Sequence, residues 1–274
     1  MIIKEHQTIL VSIDFSDQSL NALKQSYSIA KHTKSKILLL YVSSNPEKKH
    51  EEDLLNLAET TRKESNIEVE TAVEKGDLYE VIIKKVEPLN IALVIMGIGD
   101  HVKFKSRFGG NTIHKFINLL TCPIITVRDH MTMDGIKNIL IPFDLSPESR
   151  EKVPFAVQMA RFYGADIRIL CIFPPNDDSY ENKILPYLQQ IKKFIKQEGV
   201  SCTNKSIPST MAAEAILEYA YANECSIIMQ MNQKELSISE FYFSGTVGQK
   251  IIEISKIPIM TIHPMKREST NRVV

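Results

Sequence analysis

Two acids and one glycine loop are the residues of this chain best placed to do chemistry. Asp14 in SIDFS and Asp144 in PFDLS each end an apolar run and precede a serine by two residues. A strand-end Asp-x-Ser can cap the helix that follows, and it can also face a ligand at the sheet edge. The spacing leaves both readings open. The loop lies in MGIGDHVKFKSRFGGNT (96–112), after the apolar run IALVIM (91–96). Glycines such as Gly97 and Gly99 permit positive φ and close approach of a ligand to the main chain. Gly110, Asn111 and Thr112 fall at the start of the next helix, where free N–H groups and the helix dipole favour an anion. Lys103, Lys105 and Arg107 could add charge there, or could simply solvate a long loop.

Catalytic patterns are missing from the sequence. It contains no G-x-S-x-G, no GxxxxGK[ST] and no HExxH. Of the histidines at 6, 32, 50, 101, 114, 130 and 263, only His101 lies in the glycine loop. A binding protein is therefore expected, with no catalytic residue and no metal site, and with slow ATP hydrolysis at most incidental.

Charge narrows the partners. Lys+Arg and Asp+Glu both number 33, which gives no pull toward nucleic acid or an anionic membrane. No apolar run approaches the roughly 20 residues of a membrane span. MIIKEHQTILVSID reaches a strand-like run too soon for a signal peptide, and the four cysteines show no CxxC pairing. The expected setting is the cytoplasm.

The elements that must position these residues alternate along the chain. Strands are expected at 8–13, 36–42, 67–73, 91–96 and 123–127, with helices at about 17–32, up to 65, 77–86 and from 111. The pattern then recurs. NILIPFDLS (138–146) repeats TILVSIDFS (8–16), and DIRILCI (166–172) repeats KILLLYV (36–42). SIIM (226–229) aligns with LVIM (93–96), and IPIMTI (257–262) with CPIITV (122–127). Continuous apolar strands suit a parallel sheet covered on both faces. The fold class is thus α/β, as two tandem doubly wound domains, each a five-stranded parallel sheet flanked by helices. Domain boundaries are expected at 1–130 and 136–264, with a polar tail at 265–274.

Strand-DxS at the front, a glycine loop between the fourth strand and last helix, and the closing TCPIITV (121–127) together resemble the universal stress protein family. The resemblance spans nearly the whole chain as two copies. It implies an adenine nucleotide alpha hydrolase-like fold and a role in stress response. It also implies binding of ATP, ADP or AMP, with Mg²⁺ if a triphosphate is bound. In the family the loop reads G-x2-G-x9-G-[S/T]. Gly97 matches its first glycine and Gly110 its third. Carried across, Asp14 faces the adenine and ribose side, while Gly97, Gly110 and Asn111, with the amide of Thr112, hold phosphates. Val42, and Gly99 one residue off the family's register, are further nucleotide-binding candidates.

Two departures bear on the cofactor. Asp100 stands at the second glycine, and a like charge about 4 Å from a phosphate costs roughly 4 kcal/mol at an effective dielectric near 20. Asn111 replaces the Ser/Thr. In the second copy Gln230 takes the place of the first glycine, and Ser209 that of Gly76. Only Gly245 and Thr246 match the closing pair there, so Asp144, Gly245 and Thr246 are weaker candidates. Phe241, Tyr242 and Phe243 are expected to cover a groove or touch the other domain. The alternative is a nucleotide-free scaffold acting through protein contacts, with no cofactor. An adenylating or pyrophosphatase-type enzyme would need an SGGxDS-like loop where this chain has SIDFSDQS. The resemblance implies that the two domains pair through their fifth strands, PIITV (123–127) and PIMTI (258–262), whose β-branched residues suit edge pairing, bringing Ile125 close to Met260. A homodimer of two chains is a further option, with the client protein unknown.

Overall fold

The computed structural model describes residues 3–99, 112–128, 135–232 and 245–264. The element order is β1 (Thr8–Ser12), α1 (Asp17–Thr33), β2 (Lys36–Ser43), α2 (Lys48–Ser65), β3 (Val69–Lys75), α3 (Leu78–Val86), β4 (Ile91–Gly97), α4 (Thr112–Leu119) and β5 (Ile124–Val127). The second half follows as β6 (Asn138–Pro142), α5 (Pro147–Glu151), α6 (Val153–Tyr163), β7 (Asp166–Phe173), α7 (Tyr180–Gln197), β8 (Cys202–Pro208), α8 (Ala212–Ala222), β9 (Ile227–Met231), α9 (Gly245–Ile254) and β10 (Ile259–Ile262).

All ten strands form one sheet in the order β3-β2-β1-β4-β5-β10-β9-β6-β7-β8. Pairing is parallel throughout except at the centre, where β5 and β10 run antiparallel. Met260 sits opposite Ile125 there, so the expected pairing of the two closing strands is realised. Each half reverses strand order between its first and fourth strands (β1 and β4, β6 and β9). These are the points where an open α/β sheet leaves a crevice.

Local signals set the helix ends. Ser16 caps α1 by accepting from the Ser19 N–H, and Lys34 closes it in the left-handed conformation. Asp77 caps α3 by accepting from Tyr79 and Glu80 N–H groups. Gly76 just before it takes φ +147°, a region open to glycine. The helix expected as one piece after β6 is two pieces, α5 and α6, with the break at Lys152. Pro154 explains this: it has no N–H for the Arg150 carbonyl, and its ring crowds that turn.

Burial divides by face. One core packs α1, α2, α6 and α7 against residues such as Ile9, Val11, Leu93, Ile125, Ile141 and Met260. The other packs α3, α4, α8 and α9 against Leu10, Val94, Ile124, Leu140 and Ile259. Both cores run through both halves, so the halves share two hydrophobic layers as well as strand hydrogen bonds. Polar contacts join them on each face. On the first, Ile3 exchanges hydrogen bonds with the Gln158 amide at 3.1 and 3.0 Å, and His32 stacks on Phe162. On the second, His114 Nε2 lies 3.2 Å from Glu253, and His263 Nε2 lies 2.6 Å from the Ile117 carbonyl. Among the described residues, no helix is long and apolar enough to cross a membrane.

Candidate functional site

Asp14 follows β1 at the carboxyl edge of the sheet and is exposed. Its Oδ1 accepts from the Ser16 N–H at 3.0 Å and the Ser16 hydroxyl at 2.5 Å. Ser16 Oγ in turn accepts from the Ser19 N–H, and the Asp14 N–H reaches Ser19 Oγ. The Asp-x-Ser pattern is therefore a relay that caps α1. Oδ1 alone carries the relay, so Oδ2 is left without a partner among the described residues. Asp144 repeats the relay with Ser146 at 2.9 and 2.5 Å, and Ser146 with Ser149 at 3.2 Å. The capping reading holds in both halves, and it does not use up either acid.

Beside Asp14 the backbone turns through Phe15 at φ +62°, a left-handed conformation unusual for a bulky residue. Its ring lies 5.6 Å from Tyr41, which stacks on His50 at 4.7 Å. Sequence reading missed this row of rings, although the β2 repeat could have flagged Tyr41. The second half has Leu145 and Cys171 at the corresponding places. Val42 is half-buried at the end of β2, packed against the second core.

Gly97 ends β4, where the chain's own helix comes close to it. Neither Gly97 nor Gly99 is among the positive-φ residues. A Cβ on Gly97 would lie 2.4 Å from the Gln18 carbonyl carbon and 2.6 Å from the Ser19 nitrogen. Only a residue without a side chain lets the first turn of α1 rest on the end of β4. The close approach is thus to the chain's own helix. Thr112 is the first residue of α4. Asp100, His101, Lys103, Lys105, Arg107, Gly110 and Asn111 lie outside the described residues, as do Phe241, Tyr242 and Phe243.

In the second half the strand register revises the sequence alignment. Val94 and Ile228 both donate to the residue before their closing strand, and Ile98 and Asn232 both donate to its last residue. Met231 therefore occupies the place of Gly97, and Gln230 that of Met96, whereas the sequence put Gln230 at the glycine. Met231 packs toward the α5–α6 side, and the break in that helix leaves room for it. Gln230 points the other way. Its Nε2 donates to the Gly248 carbonyl at 3.3 Å and to Thr261 Oγ1 at 3.2 Å. Gly245 is the first residue of α9, followed by Thr246.

Lys152, at the helix break, stands where the first half has the buried Ala22. It is 4% exposed, and its side chain makes no hydrogen bond or ion pair among the described residues. Burial pushes its amine down from 10.5 to about 8, partly offset by the nearby Asp144. With Asp144, Gln230, Met231, Gly248 and Ile251 it lines a cavity of only about 40 Å³. A nucleotide does not fit that space. Among the described residues, no group of His, Cys, Asp or Glu could hold a metal ion.

The model of the universal stress protein family matches this chain twice, over residues 5–128 and 135–263. The chain belongs to the universal stress protein family. This family member is also 24% identical over 144 residues to the universal stress protein YxiE of Bacillus subtilis, covering 44% of this chain and 97% of that one. Its fold resembles a universal stress protein of Archaeoglobus fulgidus (TM-score 0.77, 19% identity, covering 97% and 100% of the two chains). It also resembles the Pseudomonas aeruginosa protein PA1789 (TM-score 0.69, 20% identity, covering 96% and 94%). The tandem organisation read from the repeat is thus that of the family model and of full-length neighbours.

Proposed function

We propose that this universal stress protein is a non-catalytic stress-response binding protein that takes an adenine nucleotide at the carboxyl edge of its first domain only. The observation that carries the reading is the contrast at the two switch points. In the first half the small residues Ala22 and Gly97 stand where the second half has Lys152 and Met231, and Asp14 keeps one carboxylate oxygen outside its capping relay among the described residues, next to Phe15. In the second, Lys152 and Met231 line a cavity of about 40 Å³, too small for a nucleotide. Asp14 and Val42 would contact the adenosine, and Gly97, Gly99, Gly110, Asn111 and Thr112 the phosphates. Asp144, Gly245 and Thr246 would then serve as helix-capping residues. Asp100 and Asn111 favour a nucleotide with few phosphates, so AMP or ADP is preferred over ATP with Mg²⁺. The same two residues support the second reading, a scaffold that binds no nucleotide and works through protein contacts in the cytoplasm.

Thermal melting with AMP, ADP and ATP–Mg²⁺ separates the two. A ligand at 100 times its dissociation constant adds about 2.7 kcal/mol to the folded state. Asp14→Ala is expected to abolish the shift and Asp144→Ala to leave it intact. No shift with any of the three at millimolar concentration would leave only the scaffold.

A further inference from the structure

The cavity of the second half holds an uncommon lysine. The Lys152 side chain is 4% exposed, makes no side-chain hydrogen bond or ion pair among the described residues, and lines the space between the ends of β6 and β9 with its charge attracted to Asp144. The titratable groups that face it are Asp144, after β6, and Cys171, in β7. Burial pushes the Cys171 thiol up to about 12, so it stays neutral. Across the cavity, Gln230 Oε1 is buried with no hydrogen-bond partner among the described residues.

This set of groups selects the chemistry of an occupant. Asp144 and Gln230 Oε1 are both acceptors, so they disfavour an anion and favour a positive charge kept at the lysine nitrogen. A lysine moved out of water holds more of its neutral, nucleophilic form near neutral pH than an exposed one. Size is the third constraint. A water needs roughly 10–15 Å³ of such space, so a cavity of about 40 Å³ accepts about three non-hydrogen atoms.

We propose that Lys152 is a covalent docking point for small aldehydes, which it binds as a reversible imine within this cavity. The amine lone pair attacks the carbonyl carbon, a C–N bond forms, and the carbonyl oxygen takes up a proton to give a carbinolamine. Loss of water then breaks the C–O bond. The net change is ammonium plus aldehyde to protonated imine plus water, with no oxidant or reductant consumed. Charge is conserved at the nitrogen, beside Asp144. The leaving hydroxyl departs next to Gln230 Oε1, which can accept from it. The site is separate from the nucleotide site proposed for the first half, and neither reading depends on the other.

The test uses the full chain, acetaldehyde as the probe and borohydride to trap the imine, followed by peptide mass mapping of every lysine. Near neutral pH, Lys152 is expected to be ethylated on the order of tenfold faster than the median exposed lysine. That advantage should vanish in denaturing urea. Benzaldehyde, too large for the cavity, should show no preference for Lys152. Labelling of Lys152 at or below the median rate, an advantage that survives urea, or an equal preference with benzaldehyde would each overturn the proposal.

Discussion

The two halves of this protein share a fold, a capping relay and a strand order, yet their carboxyl edges are opposites. In the first half, helix α1 lies directly on Gly97, with Ala22 in that helix and the rings of Phe15 and Tyr41 near Asp14. In the second, Met231 takes the glycine's place, the helix is broken at Lys152, and Lys152, Gln230 and Met231 line a cavity of about 40 Å³. A glycine at the strand end lets the helix approach closely. In the second half Pro154 breaks the helix, and a long side chain, Lys152, stands where alanine stood.

The largest effect expected from breaking this contrast is at Gly97. Gly97→Val places a Cβ within 2.4 Å of backbone atoms, which no rotamer change can relieve. A loss of roughly 3 kcal/mol or more in urea unfolding is expected, since overpacking against main chain cannot relax cheaply. If Gly97→Val unfolds at the wild-type midpoint, the helix-on-strand account of this glycine fails.

Lys152 comes next. Its folded amine titrates at about 8 against 10.5 when free. Between those values the unfolded chain binds the proton and the folded chain does not, so stability rises with pH across that window. Lys152→Met removes the buried charge and should stabilise the protein near neutral pH by on the order of 2–3 kcal/mol, with the alkaline rise flattened. Urea midpoints at a series of pH values read both effects. An unchanged slope would place the lysine in water.

The smallest effect concerns the seam between halves. Burial holds the His114 imidazole below its usual 6.5, against the opposing pull of Glu253. The folded form therefore resists protonation, and its contribution is present above about 6.5 and is lost as pH falls. His114→Gln should weaken the acid sensitivity of unfolding by about 1 kcal/mol or less. The wild-type and variant midpoints should converge above neutrality and separate below it.

Much of this architecture is legible before any coordinates. The repeat places ten strands, and the family resemblance, with the β-branched closing runs PIITV and PIMTI, anticipates their pairing at Ile125 and Met260, while its antiparallel direction comes from the structure. Asp14 and Asp144 read equally well as caps and as ligand contacts, and the relay shows how one oxygen serves the first while the other stays open. Gly97 is marked by spacing, but spacing does not show that the first turn of α1 rests on it. The register of β9 was misjudged by one residue. SIIMQM carries no glycine to anchor an alignment, and a slip of one exchanges the two faces of a strand. Lys152 had no signal at all, because a lysine in PESREKVPF reads as a solvated helix residue.

By itself, the sequence determined the family, the tandem repeat and the succession of strands and helices, because these depend on motif order and periodicity. Only the tertiary structure decided what lies at each strand end: the first turn of α1 on Gly97, and Lys152 with Gln230 around a small cavity. These placements join residues far apart in the chain, where a single Cβ or a buried lysine outweighs any local preference.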